Sequence, residues 1–244
     1  RPDGNSTGTG TLSVKSGATL KFTNSVQLKR IGTASSTSHF GTLTVENGGT
    51  LEFSGTSATI GASVLNFDGT VIYSLTGDQT LAVKGSNSAA TDPGVYTNLV
   101  FSGSGSKSLA VNTTINGTLT YGGTASLNLN GKTLNYGSSA TLDFSGSNSQ
   151  TLSNTGIPNN ITINNPSGVT LNENVTINGN LNMNSGLLNV GSRTLTVNGD
   201  ITYSKSTTNM IVLDDGVNQG TLVKSVSATG VDYVLPVGDS RNTS

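Results

Sequence analysis

The chain contains no cysteine, which excludes disulfides, thiolate zinc sites and cysteine nucleophiles. It contains no tryptophan, and six Tyr and six Phe are its only large aromatic residues. A single histidine, His39, excludes a His-rich metal site and is the one residue on which a Ser-His-Asp triad could be built. It stands in the Ser/Thr-rich stretch Ser35-Ser36-Thr37-Ser38, which reads as a solvated loop. Charged residues make up only 10% of the chain, against about 25% in an ordinary globular protein. The formal net charge of −1 offers no basic field to neutralise phosphates, which argues against a nucleic-acid partner. No apolar run approaches the roughly 18 residues a spanning helix needs, and no basic amphipathic helix could lie on a bilayer, so no membrane insertion by this segment is expected.

What fills the space is small and polar. The 37 Thr, 33 Ser, 32 Gly and 28 Asn together supply 130 of the 244 residues. These types favour turns and strands over helices. Leu, Val, Ile and Phe still number 60, about a quarter, which is above the roughly one-fifth level below which a chain tends to stay disordered. A thin core is therefore expected. The chain opens at Arg1 and stops at Arg241-Asn242-Thr243-Ser244, which reads as a piece of a longer or processed protein.

Repeats decide the architecture. The stretch Gly10-Thr11-Leu12-Ser13-Val14-Lys15-Ser16-Gly17-Ala18-Thr19-Leu20-Lys21-Phe22 recurs in pattern 31 positions later, from Gly41 to Phe53, without a gap. Thr114-Ile115-Asn116-Gly117-Thr118-Leu119-Thr120 returns 62 positions on as Thr176-Ile177-Asn178-Gly179-Asn180-Leu181-Asn182. Each unit is an apolar-polar-apolar triplet, a Gly/Asn/Ser turn, and another triplet; that is period two, hence strand. Successive triplets do not mirror each other as hairpins would, and no helical pattern supplies crossovers. Parallel coil-on-coil stacking remains, and predicts an all-β, right-handed parallel β-helix (β-solenoid) of about nine three-strand coils with no substantial α-helix.

Setting the first inward residue of each coil at Leu12, Leu43, Val71, Leu99, Leu119, Leu142, Ile161, Leu181 and Ile201 gives intervals of 31, 28, 28, 20, 23, 19, 20 and 20 residues. Gly10, Gly41, Gly69, Gly117, Gly179 and Gly199 stand two residues ahead of six of these, a spacing that suggests a corner needing positive φ. The coil from Leu181 displays three faces, Leu181/Met183, Leu188/Val190 and Leu195/Val197. The longer early coils are expected to carry loops at 32–39, 61–66 and 84–97. Asn is concentrated between 96 and 198, with 20 of the 28, which suits tight coils because Asn tolerates the left-handed region and can ladder between coils. The chain thus divides into a long-coil part at 1–97, regular coils at 98–208, and 209–244 as final coils or the start of another β module. The 31-residue offset also sets Glu46 beside Lys15 and Glu52 beside Lys21 on adjacent coils.

The Asn/Thr-rich coils, from Ile161-Thr162-Ile163-Asn164-Asn165 to Thr194-Leu195-Thr196-Val197-Asn198-Gly199, are followed by Ile211-Val212-Leu213-Asp214-Asp215-Gly216 and Leu235-Pro236-Val237-Gly238-Asp239. Together they resemble the β-solenoid stalks of large secreted surface proteins of Bacteroidota, adhesin-like cargo of type IX secretion. The resemblance implies a secreted or cell-surface location and a structural or adhesive rod segment that spaces or displays binding regions. The partner classes it implies are a glycan, a cell-surface protein or secretion machinery.

Neither catalytic, cofactor-binding nor metal-ligating residues are assigned, and no enzymatic role is expected. Asp214-Asp215-Gly216 could offer oxygens to Ca²⁺, but the EF-hand spacing is absent and a turn with solvated carboxylates is the plainer reading. A polysaccharide-cleaving β-helix would need clustered carboxylates, whereas Lys15, Glu46, Asp143 and Asp200 fall coils apart. Gly103-Ser104-Gly105 precedes no helix and reads as a turn. Thr42/Thr44 and Thr118/Thr120 fit a Thr-x-Thr ice-binding array that Ile72, Val100, Asp143, Asn182 and Asp200 interrupt. A carbohydrate- or ice-binding module is the alternative function; a groove uniting carboxylates with Tyr96 or Tyr121 would favour sugar.

Overall fold

A computed structural model of the chain describes residues 10–28, 40–84, 94–153, 158–204, 206–226, 230 and 232–239. Their regular structure is entirely β, in short strands of two to nine residues, with no helix among the described residues. Strands that pair in a ladder do so in parallel and come from successive turns of the chain, as in Thr141–Phe144 against Asn160–Asn164. With no helix to make crossovers, parallel pairing at this short range is coil stacking: the fold is a parallel β-helix, or β-solenoid. The described residues make about eight turns. The chain forms two compact units, Arg1–Gly117 with Ala125–Asn135, and Thr118–Thr124 with Tyr136–Ser244.

In the first unit, Thr19–Phe22, Thr50–Phe53, Thr70–Tyr73 and Gly94–Phe101 bring Leu20, Leu51, Val71 and Leu99 into one inward column. Two residues along, an aromatic column runs Phe22, Phe53, Tyr73, Phe101. Ring centroids of successive members are 5.8, 5.4 and 6.5 Å apart. Stacked or edge-on rings at this range add about 0.5–1.5 kcal/mol per pair beyond the area they bury. A second ladder joins Thr11–Val14, Phe40–Val45 and Ala62–Phe67, and stacks Leu12 on Leu43 on Leu65.

This arrangement corrects the expected register of the early coils. Leu12 and Leu43 do not share a column with Val71, which rests on Leu51. Each early coil presents two apolar-polar-apolar triplets eight residues apart, such as Leu12-Ser13-Val14 and Leu20-Lys21-Phe22, and period two cannot tell one face from the next. The stretch 61–66, expected as a loop, lies largely in the strand Ala62–Phe67, whose pairing with Phe40–Val45 extends the second ladder. The expected loop at 32–39 and most of that at 84–97 lie outside the described residues, although Gly94–Phe101 is strand.

The second unit follows expectation closely. Residues 118–121 pair with Thr141–Phe144, which is followed in the ladder by Asn160–Asn164, Leu181–Ser185 and Ile201–Tyr203. Leu119, Leu142, Ile161, Leu181 and Ile201 form one column, buried except at Ile201, which is half-buried on the last rung. The coil from Leu181 closes as read, with all six of its inward residues fully buried. Each such aliphatic side chain contributes about 1.5–3 kcal/mol relative to exposure. The coils continue through Ile211–Asp214 and Thr221–Lys224, which pair with earlier strands.

The corner glycines work differently from expectation. Gly69, Gly117, Gly179 and Gly199 do not have positive φ. A Cβ on Gly69 would stand 2.3 Å from the Glu46 carbonyl oxygen, and one on Gly199 would stand 2.3 Å from that of Gly179. Glycine is needed there because neighbouring coils approach too closely for any side chain. Positive φ is found instead at Gly17 and Gly48, in the following corner. Asparagine, likewise, seldom uses the left-handed region: Asn130 is the only non-Gly residue found there among those described. Its main role is laddering. Asn160 Oδ1 accepts from the Asn180 N–H at 3.0 Å, Asn180 Oδ1 from the Asp200 N–H at 2.9 Å, and Asn174 Oδ1 from the Thr194 N–H at 2.9 Å.

Candidate functional site

Alternation along a strand sends every second residue outward, so a stacked ladder also aligns its outward side chains. On the long face of the second unit, one outward column places Asp143 between Thr120 and Thr162, with Asn182 and Thr202 beyond. Thr202 Oγ1 donates to Asn182 Oδ1 at 2.6 Å, and Asn182 Nδ2 donates to Thr162 Oγ1 at 3.5 Å. A parallel column begins Thr118, Thr141, Asn160 and continues through the Asn180 and Asp200 ladder bonds. This is the most regular polar surface among the described residues. Many of its acceptors are already occupied by neighbouring coils. Asp143 is half-buried within it, and burial raises its carboxyl above the usual range against a hydrogen bond from Ser145 that lowers it.

Two outward ion pairs join adjacent coils in the first unit. Lys15 Nζ donates to Glu46 Oε1 at 2.5 Å, and Lys21 Nζ to Glu52 Oε1 at 2.7 Å, as the 31-residue offset requires. Burial pushes the Glu52 carboxyl up, but hydrogen bonds from Lys21 and Ser74, with the charge of Lys21, outweigh it and hold the group below its usual value. Thr42 and Thr44 stack between Thr11/Ser13 and Val64/Asn66, so that short hydroxyl array ends within one coil.

The remaining residues singled out from sequence do not converge. Asp214 Oδ1 accepts from the Gly216 N–H at 2.8 Å, and Asp215 Oδ1 from the N–H groups of Val217 and Asn218 at 2.9 and 2.6 Å. The Asn218 and Val217 N–H groups hold the Asp215 carboxyl below its usual range. Both acids thus fold their own turn, with Gly216 at φ 87°. No group of three or more His, Asp or Glu is placed to hold a metal among the described residues. Tyr96 is buried against Phe67 with centroids 5.2 Å apart, its hydroxyl 3.4 Å from that of Tyr73; burial pushes its pKa up to about 12. Tyr121 is half-buried and stacks on Phe144 at 5.5 Å. Neither forms a sugar-stacking platform beside grouped carboxylates. Gly103-Ser104-Gly105 forms a corner in which a Cβ on Gly103 would strike the Leu75 carbonyl. His39 lies outside the described residues.

One set of residues escaped the sequence reading: buried polar side chains that clamp the corners. Gln79 Nε2 donates to the carbonyls of Phe53 and Gly55, and Gln150 Nε2 to those of Tyr121 and Gly123. Lys107, at 0% exposure, sends Nζ to the carbonyls of Leu75 and Gly77 at 2.8 and 3.0 Å. Asn209 Nδ2 does the same for Met183 and Ser204. The Phe53, Tyr121 and Leu75 carbonyls also accept a backbone N–H from the next coil, from Ser74, Ser145 and Ser104, so these donors fill a second acceptor position there and reach the carbonyls of Gly55, Gly123 and Gly77 two residues on. The signal was available, because Gln79-x-Leu81, Lys107-x-Leu109 and Gln150-x-Leu152 share the inward phase. No protein-family model, curated protein or solved structure matches the chain.

Proposed function

We propose that this chain is a structural or adhesive segment of a secreted or cell-surface bacterial protein, a stack of coils that spaces or displays binding regions. The observation that carries the reading is how its polar groups are used. Asn ladders, ion pairs and corner clamps all tie one coil to the next, so side-chain chemistry is devoted to holding register. The resemblance to Bacteroidota type IX stalks supports the extracellular placement. A carbohydrate- or ice-binding module is the second reading, favoured by the two regular columns of hydroxyls and amides at Thr118 to Thr202.

Deleting residues 161–180 tests both, because it removes one coil and joins Asn160 to Leu181 in phase. Under the spacer reading the shortened protein keeps its far-UV strand signal and its binding to cells or glycan arrays. Thermal hysteresis abolished by Thr162→Tyr, or turnover of a polysaccharide abolished by Asp143→Asn, would replace it with a binding or enzymatic role.

A further inference from the structure

The chain carries five Asn-Gly dipeptides, at 47–48, 116–117, 130–131, 178–179 and 198–199. The pair is reactive because glycine offers the least hindered backbone nitrogen. After losing its proton, that nitrogen can attack Cγ of the preceding Asn, close a five-membered succinimide and expel ammonia. Water then opens the ring at either carbonyl, leaving Asp, or isoaspartate with the backbone rerouted through the side chain; water is the only co-reactant. The glycine nitrogen must be free to lose its proton and swing toward Cγ, and the Asn amide must not be held elsewhere.

The structure separates the five sites on these grounds. The Gly179 N–H donates to the Asn159 carbonyl at 2.5 Å and the Gly199 N–H to the Gly179 carbonyl at 3.0 Å. Their asparagines are laddered, Asn198 Nδ2 donating to Asn178 Oδ1 at 3.2 Å, while Asn198 Oδ1 accepts from Ser225 Oγ at 2.9 Å. Gly117 lies within the strand Thr113–Tyr121, where a Cβ would stand 2.8 Å from the Thr97 carbonyl oxygen. Asn130 and Gly131 are exposed and among the described residues no hydrogen bond reaches the Gly131 N–H, but the Asn130 amide is held, Nδ2 donating to the Leu109 carbonyl at 3.3 Å. Asn47 and Gly48 alone combine an unheld amide with an unbonded glycine N–H. Both are exposed, and among the described residues no hydrogen bond reaches the Asn47 amide or the Gly48 N–H. The corner is held through other groups: the Glu46 N–H on the Val14 carbonyl, the Gly49 N–H on the Glu46 carbonyl, and the Gly48 carbonyl, which accepts from the Gly17 N–H.

We propose that Asn47 is a site of self-modification, converting through the succinimide to aspartate and isoaspartate in the folded protein while the laddered asparagines keep their amides. The product sits at a sensitive point. It adds a carboxylate beside Glu46, whose single partner Lys15 is 2.5 Å away. As isoaspartate it inserts one extra backbone atom into the corner that sets the register of two coils.

The test ages the protein at mildly alkaline pH, folded in one sample and in urea in the other, and maps peptides by mass and by isoaspartyl methyltransferase labelling. In the folded sample the Asn47 peptide converts first, with Asn178 and Asn198 at least tenfold slower; in urea all five convert at comparable rates. Equal rates at Asn47 and Asn178 in the folded protein would overturn the proposal. So would an Asn47 preference that persists in urea, since local sequence would then set it. Ser225→Ala, which frees Asn198 Oδ1, should speed conversion at Asn198 and leave Asn47 unchanged.

Discussion

Lys107 offers the sharpest test of the corner clamps. It stands in Ser106–Ser108 with Gln79 on one side in the ladder and Leu127 on the other, fully buried, with Nζ on two carbonyls. Burial lowers its pKa, and the charge of Asp78 offsets this in part. Lys107→Met keeps an unbranched stem, one atom shorter, and removes the donor. The Leu75 carbonyl keeps the Ser104 N–H at 3.2 Å, so the variant strands one carbonyl, that of Gly77, at a cost of about 1–3 kcal/mol. Relief from holding a buried ammonium returns part of this, and a net loss of about 1–2 kcal/mol is expected. Lys107→Gln separates clamp from charge. Gln79 and Gln150 reach the carbonyls of the rung residues Phe53 and Tyr121, whereas Lys107 reaches beyond the rung residue Tyr73 to Leu75 and Gly77. The shorter amide should keep one of the two bonds and lose less than Met. Urea unfolding followed by far-UV circular dichroism measures both variants. The sign of the pH dependence is also fixed: a lysine depressed in the folded state gives up its proton first. Wild type therefore gains stability over Lys107→Met as pH rises from the lowered value toward about 10.4. A Met variant as stable as wild type, or a Gln variant worse than Met, would refute the clamp.

Leu181→Asp would bury an unpaired carboxylate in a fully buried column, and should cost on the order of 5 kcal/mol out of a total of about 5–15, unfolding the second unit by circular dichroism. Asp143→Asn should stabilise by up to about 1 kcal/mol at neutral pH, because a raised carboxyl pKa means the charged form is disfavoured in the fold. That gain disappears in acid, below about pH 4, where the wild-type carboxyl is protonated in both states, and urea midpoints across pH would show it. Glu52→Gln should lose roughly 0.5–1 kcal/mol above the ordinary carboxylate range, the loss fading as pH falls through the lowered Glu52 value and as salt screens Lys21.

Regularity in the chain determines how far each feature could be read from it. The 20-residue coils from Leu142 to Ile201 repeat so evenly that their inward column follows from spacing alone, and the 31-residue offset sufficed to place Glu46 on Lys15 and Glu52 on Lys21. The register failed between Leu43 and Val71. Two faces of one coil carry the same triplet there, and the 28 residues between those positions conceal an eight-residue step to the next face before a regular coil begins. Lys107 shows a different limit. Composition assigns lysine to the surface, while its phase with Leu109 assigns it inward, and the phase prevails because the corner carbonyls of Leu75 and Gly77 supply what a buried cation needs. Outward positions such as Thr162 and Asn182 obey neither rule strongly. The coil fixes where they stand and leaves their identity open, so a repeated fold specifies its core many times over while function is written in positions the repeat does not constrain.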